Sequence, residues 1–391
     1  MTTKTTKVNW TLILIISAVF AVASVGFLLF SMISQQTAEP VPTEPPVPTE
    51  AASYAIMDSY EDMIVEDLTA AYDAAKAVKK VYWIDENAEL PPMPNESCYG
   101  QTDDPSSLQW LLDEAATVLD GQETVFSTDI EFCPLTVATY YLDESIFVIT
   151  WQEVHDNYVY TYSEVKISHP SQFRRYLAGN EYDSDYAHSV SRMANMNNAV
   201  MASSADFYRG RNHGIIVYDG EVKRTKYAEL VDTCFIDKNG DLILVPAGEL
   251  IGDEAAQKFV DENDIQFSLA FGPILVEDGV RCEPDNYYLG EVNGKYARAA
   301  LCQKDTLHYV IVTANAEYSY WTSPTIHTFA KNVALLNCQK AYTLDGGRTG
   351  TISMQGKALN PLNDSERWIS DIIYFATAVP SSEEVPAETQ P

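Results

Sequence analysis

The residues best suited to chemistry lie near the C-terminal end of the chain, in the stretch AYTLDGGRTG that starts at Ala341. There an apolar, strand-like run stops at Asp345, and Gly346 and Gly347 follow. A carboxylate at the end of a strand, beside glycines whose backbone N–H groups can approach a ligand, is suited to holding a polar or anionic group. Asp-Gly-Gly is also ordinary turn chemistry, so this triplet alone leaves both interpretations open.

Composition and charge narrow the classes of function. The chain of 391 residues carries 56 acidic and 25 basic side chains, a formal net charge of −31. A surface of this sign repels a phosphate backbone, so we expect no nucleic-acid partner. Hydrophobic residues make up 46% of the chain, which is enough for a sizeable core. The sequence has no Walker, Rossmann, G-x-S-x-G or H-E-x-x-H pattern, which argues against those enzyme classes.

The N-terminal segment predicts a membrane anchor followed by a stalk. Residues 11–33 contain no charged side chain, and a helix of this length, at about 1.5 Å per residue, crosses a bilayer. Lys4 and Lys7 precede the run and acidic residues follow it, which places residues 1–10 in the cytoplasm and the rest of the chain outside. A cleaved signal peptide is the alternative, but no small-x-small site ends the run. Residues 34–50, with two copies of Val-Pro-Thr-Glu, predict an extended Pro-rich linker.

Beyond the linker, the apolar pattern predicts a helical segment over residues 51–125 and a mixed domain over 126–378. In the first, apolar residues recur at helical spacing and again over 106–119, and these helices either cap the domain or bind a partner. In the second, short runs of Val, Ile, Tyr, Phe and Thr predict strands and hairpins, and helices are predicted over 171–177, 187–194, 253–260 and 326–336. We therefore predict an α+β fold with a mixed or antiparallel sheet core and flanking helices. Residues 379–391 predict a disordered tail.

Neither the cysteines nor the acidic loops indicate a metal site. The six cysteines all follow the predicted anchor, lack zinc-binding spacing and leave disulfide pairing open. The run from Asp237 to Asp241 superficially resembles a calcium loop, but it lacks the downstream Glu, so a β-turn is predicted. The sequence thus implies no cofactor and leaves a divalent metal open.

Four stretches, in order, resemble the phosphodiester glycosidase family. ASSADFYRGRNHGIIVYDGEV, from Ala202, resembles its Asn-small-Asp-Phe/Tyr element, and FGPILVEDG, from Phe271, resembles its Phe-Gly-Pro-x-Leu-Val-x-x-Gly element. ARAALCQKDTLHYVIV, from Ala297, resembles the element whose core is Pro-Arg-Thr-Ala-Ile-Gly. AYTLDGG and SERWISDIIYF resemble the Asn-Leu-Asp-Gly-Gly-Gly-Ser-Ser turn and the Glu-Arg-x-x-Ser-Asp ending. The resemblance spans residues 131–377 and implies removal of N-acetylglucosamine from a sugar-1-phosphodiester.

Several positions depart from the family pattern. Ser204 and Thr343 stand where the family has Asn, and Arg348 stands where it has its third Gly. The residues that flank Arg298 also differ, and the Asp-Gly-Arg expected after residues 307–313 is missing. The charged frame remains: Asp206, Arg298, Asp345, Glu366 and Arg367. This pattern fits an active enzyme of shifted specificity, and it also fits a relative that binds the ligand without turning it over.

The implied reaction requires carboxyl groups at the anomeric centre and cations on the phosphate. Asp206 and Asp345 are the predicted catalytic pair, with Glu366 as a third carboxyl group. An Asx-turn or helix-cap role for Asp206 is equally open, and Glu366 could instead form a structural ion pair with Arg298 or Arg367.

Phosphate binding is predicted for Arg298 and Arg348, because a guanidinium group meets two phosphate oxygens at once. The other predicted substrate-binding residues are Gly346, Gly347, Arg367, Ser204, Tyr208 and Arg209. Arg209, Arg211 and His213 form a basic loop, whose default interpretation is a solvated surface loop and whose alternative is a phosphate or sugar-rim site. Tyr208, Trp321 and Trp368 either stack on a sugar or belong to the core.

Together these features predict a single-pass protein of a bacterial cell membrane with an extracytoplasmic catalytic domain. Its expected function is hydrolysis of sugar-1-phosphodiester linkages in envelope or exopolysaccharide material. Two alternatives remain open: a catalytically degenerate protein that binds glycan phosphates, and an envelope scaffold in which the helical segment recruits a partner.

Overall fold

The structure is a computed structural model that describes residues 82–102, 137–316, 323–362 and 365–380, with the single positions Leu111, Ala115 and Leu119. The predicted cytoplasmic N-terminus, membrane anchor and linker lie outside these residues, as do most of the predicted helical segment and residues 381–391 of the predicted tail. No helix of the described ranges is long and apolar enough to cross a membrane.

The strands and helices of the described ranges are numbered in chain order. The strands are β1 (Tyr99–Thr102), β2 (Ala138–Leu142), β3 (Ile146–His155), β4 (Tyr158–Ile167), β5 (Phe173–Leu177), β6 (Ala199–Ser204), β7 (Ile216–Tyr218), β8 (Glu221–Arg224), β9 (Thr233–Asp237), β10 (Leu242–Val245), β11 (Ile265–Leu269), β12 (Ile274–Glu277), β13 (Val280–Arg281), β14 (Arg298–Asp305), β15 (His308–Ala316), β16 (Lys340–Leu344), β17 (Ile352–Met354), β18 (Lys357–Ala358) and β19 (Asp371–Ala376). The α-helices are α1 (Val190–Met196), α2 (Asp253–Glu262) and α3 (Ile326–Ala334).

A nine-stranded sheet forms the core, in the order β1-β2-β3-β4-β15-β14-β16-β12-β13. β4 is buried along nearly its whole length because both faces of this sheet are covered. On one face, Phe329 of α3 packs in a cluster that includes Leu111. On the other face, Val200 of β6 and Ile236 of β9 join the cluster, so smaller sheets cover that side.

The smaller sheets complete the layers around this core. One has five strands in the order β18-β17-β6-β19-β5, one has three in the order β10-β9-β11, and β7 pairs with β8. Met193 of α1 packs with Ile372 of β19, and Val260 of α2 packs with Phe235 of β9. The strand pairings within the described residues are antiparallel. Of the mixed or antiparallel core that the sequence predicts, the antiparallel form is the one observed.

The helix predicted over residues 171–177 is wrong. A short 3-10 turn at Pro170–Gln172 leads directly into β5, which pairs with β19. In β5 the buried residues Phe173, Arg175 and Leu177 alternate with partly exposed neighbours. This period of two is that of a strand with one buried face. The helix predicted over 187–194 is displaced and becomes α1, whereas those over 253–260 and 326–336 correspond to α2 and α3.

Two further expectations have counterparts in the structure. The predicted turn at Asp237–Asp241 joins β9 to β10, and Asp237 Oδ1 accepts the backbone N–H groups of Asn239 and Asp241 at 2.9 and 2.8 Å. Leu111 and Ala115 are helical and belong with Leu119 to the core of the nine-stranded sheet. Because these residues are buried, the structure favours one of the two interpretations of the predicted second helix: it packs on the domain and does not form a partner-binding arm.

Candidate active site

The nine-stranded and five-stranded sheets meet where β16 and β6 end. Asp345, the first residue after β16, donates its backbone N–H to the carbonyl of Ala205, the first residue after β6, at 2.9 Å. Ser204 Oγ donates to the carbonyl of Asp345 at 3.0 Å. The Ser204 side chain, which was predicted to contact substrate, is therefore buried where the two sheets meet, and it fixes the backbone of Asp345.

The two glycines after Asp345 allow the turn to lie against β14. A Cβ on Gly346 would be 2.4 Å from the carbonyl oxygen of Ala297 and 3.0 Å from Cα of Arg298, so only glycine fits there. Gly347 has a φ of +61° and donates its N–H to Ala297 at 2.6 Å. The Gly347 N–H, which was predicted to donate to a ligand, is therefore already hydrogen-bonded within the protein. The two glycines instead allow the turn to approach the backbone of β14 closely.

Asp345 is half-buried and has a perturbed ionisation equilibrium. Burial raises the pKa of its carboxyl group to about 6, and the negative charge of Asp206 acts in the same direction. A hydrogen bond from Thr349 and the positive charges of Arg211 and Arg367 lower this pKa. A carboxyl group with a pKa near 6 is suited to acid–base or nucleophilic work at neutral pH, and such a shift is typical of functional sites.

Arg211 is a member of this site, and the default interpretation of its loop, a solvated surface loop, is wrong for this residue. Its side chain is buried, Nη1 donates to the carbonyl of Phe271 at 3.0 Å, and the guanidinium carbon lies 4.0 Å from the centre of the Phe271 ring. Stacking on an aromatic ring fixes a guanidinium plane while it keeps its charge. No local sequence signal distinguished Arg211 from Arg209, because the contact with Phe271 is made only in the fold.

Glu366 and Arg367 are neighbours in the chain but make different contacts. The exposed Arg367 places its guanidinium carbon 5.6 Å from the centre of the Phe207 ring and acts on the Asp345 carboxyl group. Glu366 Oε2 instead accepts the backbone N–H of Ser191, in the first turn of α1, at 2.9 Å. The structure therefore places Arg367 within electrostatic range of Asp345 and gives Glu366 a contact at a helix N-terminus.

Asp206 lies in a buried ionic cluster. Arg175 Nη2 is 3.1 Å from Asp206 Oδ1 and 2.6 Å from Asp371 Oδ2. The Asp206 carboxylate also accepts the backbone N–H groups of Tyr208 and Ala270 at 2.8 and 2.9 Å. Both oxygens therefore have protein partners, an arrangement that holds the loop after β6 in place. Of the two interpretations of Asp206, this geometry favours the structural one.

In the Arg175 cluster the ionisation of Asp371 is strongly perturbed. Burial raises the pKa of Asp371 to about 8, Asp206 adds to this rise, and Arg175 opposes it. The sequence signal for Asp371 was its place in the Glu-Arg-x-x-Ser-Asp ending. Nothing in the sequence marked Arg175, which was assigned to a helix.

The two predicted phosphate ligands occupy different surroundings. Arg298 is buried, and its Nη2 donates to the carbonyls of Val292, at 2.9 Å, and Gly294. These contacts direct its donors to the protein's own backbone. Arg348 is exposed, two residues beyond Gly346.

Of the remaining predicted substrate contacts, some lie in the core and others lie at the surface. Tyr208 is buried against Tyr182, with ring centres 5.6 Å apart. Arg209 binds the Tyr186 carbonyl at 3.0 Å and lies 3.3 Å from Asp185. Trp368 is 69% exposed beside the site, and Trp321 lies outside the described residues. Within the described residues no group of three or more His, Cys, Asp or Glu side chains is arranged to hold a metal ion.

The site that the structure assembles is thus a half-buried carboxyl group, Asp345, within electrostatic range of two guanidinium groups, those of Arg211 and Arg367. Asp206 also lies within electrostatic range of this carboxyl group. This arrangement can bind an anionic group beside a carboxyl group of raised pKa.

Comparisons with known structures give distant likenesses. A catalytic domain of zebrafish N-acetylglucosamine-1-phosphodiester alpha-N-acetylglucosaminidase, auto-inhibited by its pro-peptide, is 16% identical, with a TM-score of 0.48 over 59% of this chain and 83% of that one. A hypothetical protein from Synechocystis is 12% identical, with a TM-score of 0.45 over 59% of this chain and 62% of that one. A putative exported protein from Burkholderia pseudomallei K96243 is 12% identical, with a TM-score of 0.41 over 56% and 74%. No curated protein matches the sequence.

The family assignment rests on the sequence profile. Residues 197–376 match the profile described as phosphodiester glycosidase, and this range contains Asp206, Arg211, Asp345 and Arg367. The profile match confirms the resemblance inferred from the four ordered stretches. Residues 197–376 therefore form a domain of the phosphodiester glycosidase family.

Proposed function

We propose that this domain hydrolyses the bond between the anomeric carbon of a sugar and a phosphodiester, as in N-acetylglucosamine-1-phosphate linkages. The observation that carries the proposal is the Asp345 carboxyl group, whose pKa is raised by burial to about 6, beside Arg211 and Arg367. The family assignment supplies the reaction class. The chemistry of these side chains supplies the roles of the individual residues.

Asp345 acts as a carboxylate at the anomeric centre. Above its pKa the ionised group faces the carbon on which positive charge develops in an oxocarbenium-like transition state. A phosphodiester leaves readily as an anion, so the reaction does not need a strong general acid on the leaving group. A half-buried site strengthens the interaction between the carboxylate and that positive charge, because little water screens it.

Arg211 and Arg367 hold the phosphate. A guanidinium group presents paired N–H donors that match two phosphate oxygens. The stacking of Arg211 on Phe271 fixes one of these guanidinium groups before substrate binds. Arg367 is exposed and binds the phosphate from the solvent side. The pair neutralises the charge that builds on the departing phosphate.

Trp368 is our candidate for contact with the sugar. Its ring is 69% exposed, it follows Arg367 directly in the chain, and its centre lies 6.2 Å from that of His188. Exposed aromatic rings offer an apolar face on which the C–H groups of a pyranose can pack.

We also propose that residues 11–33 anchor the protein and that the domain lies outside the cytoplasmic membrane, acting on envelope or exopolysaccharide material. The uncharged run and the lysines before it support this orientation. Protease added to intact cells should remove the domain, and protection until the cells are lysed would contradict the orientation.

A second candidate function is binding of glycan phosphates without turnover. The observation that favours it is the ion cluster of Asp206, which leaves the predicted partner of Asp345 engaged with Arg175. In that case the domain would bind a sugar phosphodiester, Asp345→Asn would keep the binding, and no product would appear with wild-type protein.

The experiment that tests the proposed function uses the full chain in detergent with UDP-N-acetylglucosamine and related diesters. Free N-acetylglucosamine and N-acetylglucosamine-1-phosphate are measured separately for wild type, Asp345→Asn and the control Asp278→Asn, an exposed turn residue. We expect free sugar from wild type and the control and none from Asp345→Asn. Release of sugar-1-phosphate, or no product from any diester, would contradict the proposal.

A further inference from the structure

A groove lies between two of the smaller sheets and is separate from the Asp345 site. One wall includes β5, the last strand of the five-stranded sheet, and the other includes β11, the last strand of the three-stranded sheet. Phe173 of β5 and Phe267 of β11 both line it and pack edge to face, with ring centres 5.4 Å apart. The groove has a volume of about 1150 Å³, and its lining does not include Asp345, Arg211 or Arg367.

Residues 83–89 form a further wall of this groove, and contacts with the domain hold them in place. The backbone N–H of Ile84 donates to Ser171 Oγ at 2.9 Å, in the turn that leads into β5. The Ile84 side chain is buried in a core cluster with Ala178. This segment carries the ring of Trp83, which is 63% exposed. An exposed aromatic ring is therefore held at the groove by a fixed backbone.

Arg174 of β5 brings an unsatisfied hydrogen-bond donor to the groove. Its Nη1 is buried and has no hydrogen-bond partner among the described residues. The neighbouring Arg175 differs, because its guanidinium group is engaged by Asp206 and Asp371. A buried N–H group without an acceptor is unfavourable, so a ligand oxygen that accepts from Arg174 would gain affinity.

The remaining polar lining favours an uncharged ligand with hydroxyl groups. Asn180 and Gln266 contribute exposed amides, which both donate and accept hydrogen bonds. Carboxyl groups outnumber the lysine and arginine side chains five to three: Asp85, Glu86, Glu89, Asp219 and Asp237 against Arg174, Arg175 and Lys238. This excess of negative charge repels an anion. A sugar hydroxyl instead donates to a carboxylate and accepts from an amide or a guanidinium group.

We propose that this groove binds an uncharged oligosaccharide and is a glycan-binding site separate from the Asp345 site. Trp83 packs on the C–H face of one sugar unit, and Arg174 Nη1 donates to an oxygen of the chain. Pockets that hold one small molecule enclose roughly 300–1,000 Å³, so this groove has room for several sugar units. The site would hold a glycan chain while the Asp345 site acts on a phosphodiester, but binding here does not depend on the proposed hydrolysis.

Isothermal titration calorimetry tests the proposal on the full chain, in a detergent whose headgroup is not a sugar. The probes are uncharged tetrasaccharides of N-acetylglucosamine, glucose and mannose, with a tetrasaccharide of galacturonate as the anion and tetralysine as the cation. We expect at least one uncharged tetrasaccharide to bind at up to millimolar concentration. Binding of none of the uncharged probes, or tighter binding of galacturonate or tetralysine, would overturn the proposal.

Two exposed tryptophans separate this groove from the Asp345 site. Trp83→Ala should weaken binding of the tetrasaccharide roughly tenfold, and Arg174→Gln should weaken it by about tenfold or more. Trp368→Ala removes a similarly exposed ring beside Arg367 and should leave the affinity unchanged. An affinity that falls in Trp368→Ala and not in Trp83→Ala would move the ligand to the Asp345 site and contradict the assignment.

Urea unfolding of Trp83→Ala distinguishes lost binding from lost structure. Because the Trp83 ring is exposed, we expect the variant to keep the wild-type unfolding midpoint. The outcome is also independent of the hydrolysis assay, since the tetrasaccharides contain no phosphodiester. Absence of product from every diester would contradict the proposed hydrolysis and not this site, and absence of glycan binding would contradict this site and not the hydrolysis of short diesters.

Discussion

The backbone N–H of Asp345 donates to the carbonyl of Ala205 at 2.9 Å, and this bond joins the ends of two strands from different sheets. Ser204 holds the carbonyl of the same residue, and the Asp345 carboxyl group lies within electrostatic range of Arg211 and Arg367. The carboxyl group thus depends for its position on both sheets, and several measurable properties follow from its environment.

Replacing Asp345 by Asn should stabilise the protein at neutral pH. The folded carboxyl group has a pKa of about 6, against an ordinary value of 3.8, so the unfolded chain loses its proton first as pH rises. The free energy of unfolding of the wild type should therefore fall between about pH 4 and pH 6 and level off above. Asp345→Asn lacks this loss and should be more stable by roughly 1–3 kcal/mol at pH 8, with little difference at pH 4.

Urea unfolding at both pH values measures this effect. Asp278→Asn, which changes an exposed aspartate, should keep the wild-type pH dependence. An Asp345→Asn protein whose stability varies with pH as the wild type does would show that burial does not raise the Asp345 pKa.

The pH dependence of catalysis should report the same group. If Asp345 acts as a carboxylate, kcat/KM should fall about tenfold per pH unit below about pH 6 and reach a plateau above it. The profile is measured with a substrate that does not titrate in this range. Activity that rises as pH falls below 6 would indicate that the protonated acid is the active form.

Arg367→Gln should weaken phosphate binding and also change the ionisation of Asp345. Loss of a charge-assisted hydrogen bond to the transition state should lower kcat/KM by about 10- to 100-fold. Because Arg367 lowers the Asp345 pKa, its removal should move the acidic limb of the pH profile to higher pH. Arg192→Gln, an exposed change on α1, is the matched control.

For Arg367, the pH profile separates a role at the site from a general loss of structure. A fall in kcat/KM with an unmoved acidic limb would argue against electrostatic contact between Arg367 and Asp345. An equal fall in the Arg192→Gln control would indicate a nonspecific charge effect.

Arg175→Gln should destabilise the fold strongly. It leaves the buried carboxyl groups of Asp206 and Asp371 without their cation, and breaking a buried ion cluster in this way costs about 3–5 kcal/mol. Lys258→Gln removes an exposed ion pair with Glu262, at 3.7 Å, and should cost at most about 1 kcal/mol. Urea unfolding compares the two, and wild-type stability in Arg175→Gln would contradict the structural role of the cluster.

Much of the fold could be predicted from the sequence because local patterns agree with the final contacts. The α2 and α3 helices follow their apolar spacing, and the turn after Asp237 follows its Asx chemistry. β5 could not be predicted, because its short alternating run becomes a strand only by pairing with β19. Arg175, a buried residue of that strand, was missed for the same reason.

The same distinction between local patterns and long-range contacts applies to the residues of the candidate site. Asp345, Gly346 and Arg367 carry local or family signals that single them out. The role of Arg211 depends on Phe271, far away in the chain, and the engagement of Asp206 depends on Arg175 and Ala270. Sequence patterns identify the residue types of the site, whereas long-range contacts determine which of them are available to a ligand.

The measurement that tests the central claim most directly is hydrolysis of the sugar phosphodiester in ¹⁸O-labelled water. If the carboxylate of Asp345 acts at the anomeric carbon, the C–O bond breaks and the label enters the free sugar. Label found in the phosphate product instead would mean that water attacks phosphorus, and that would contradict the account.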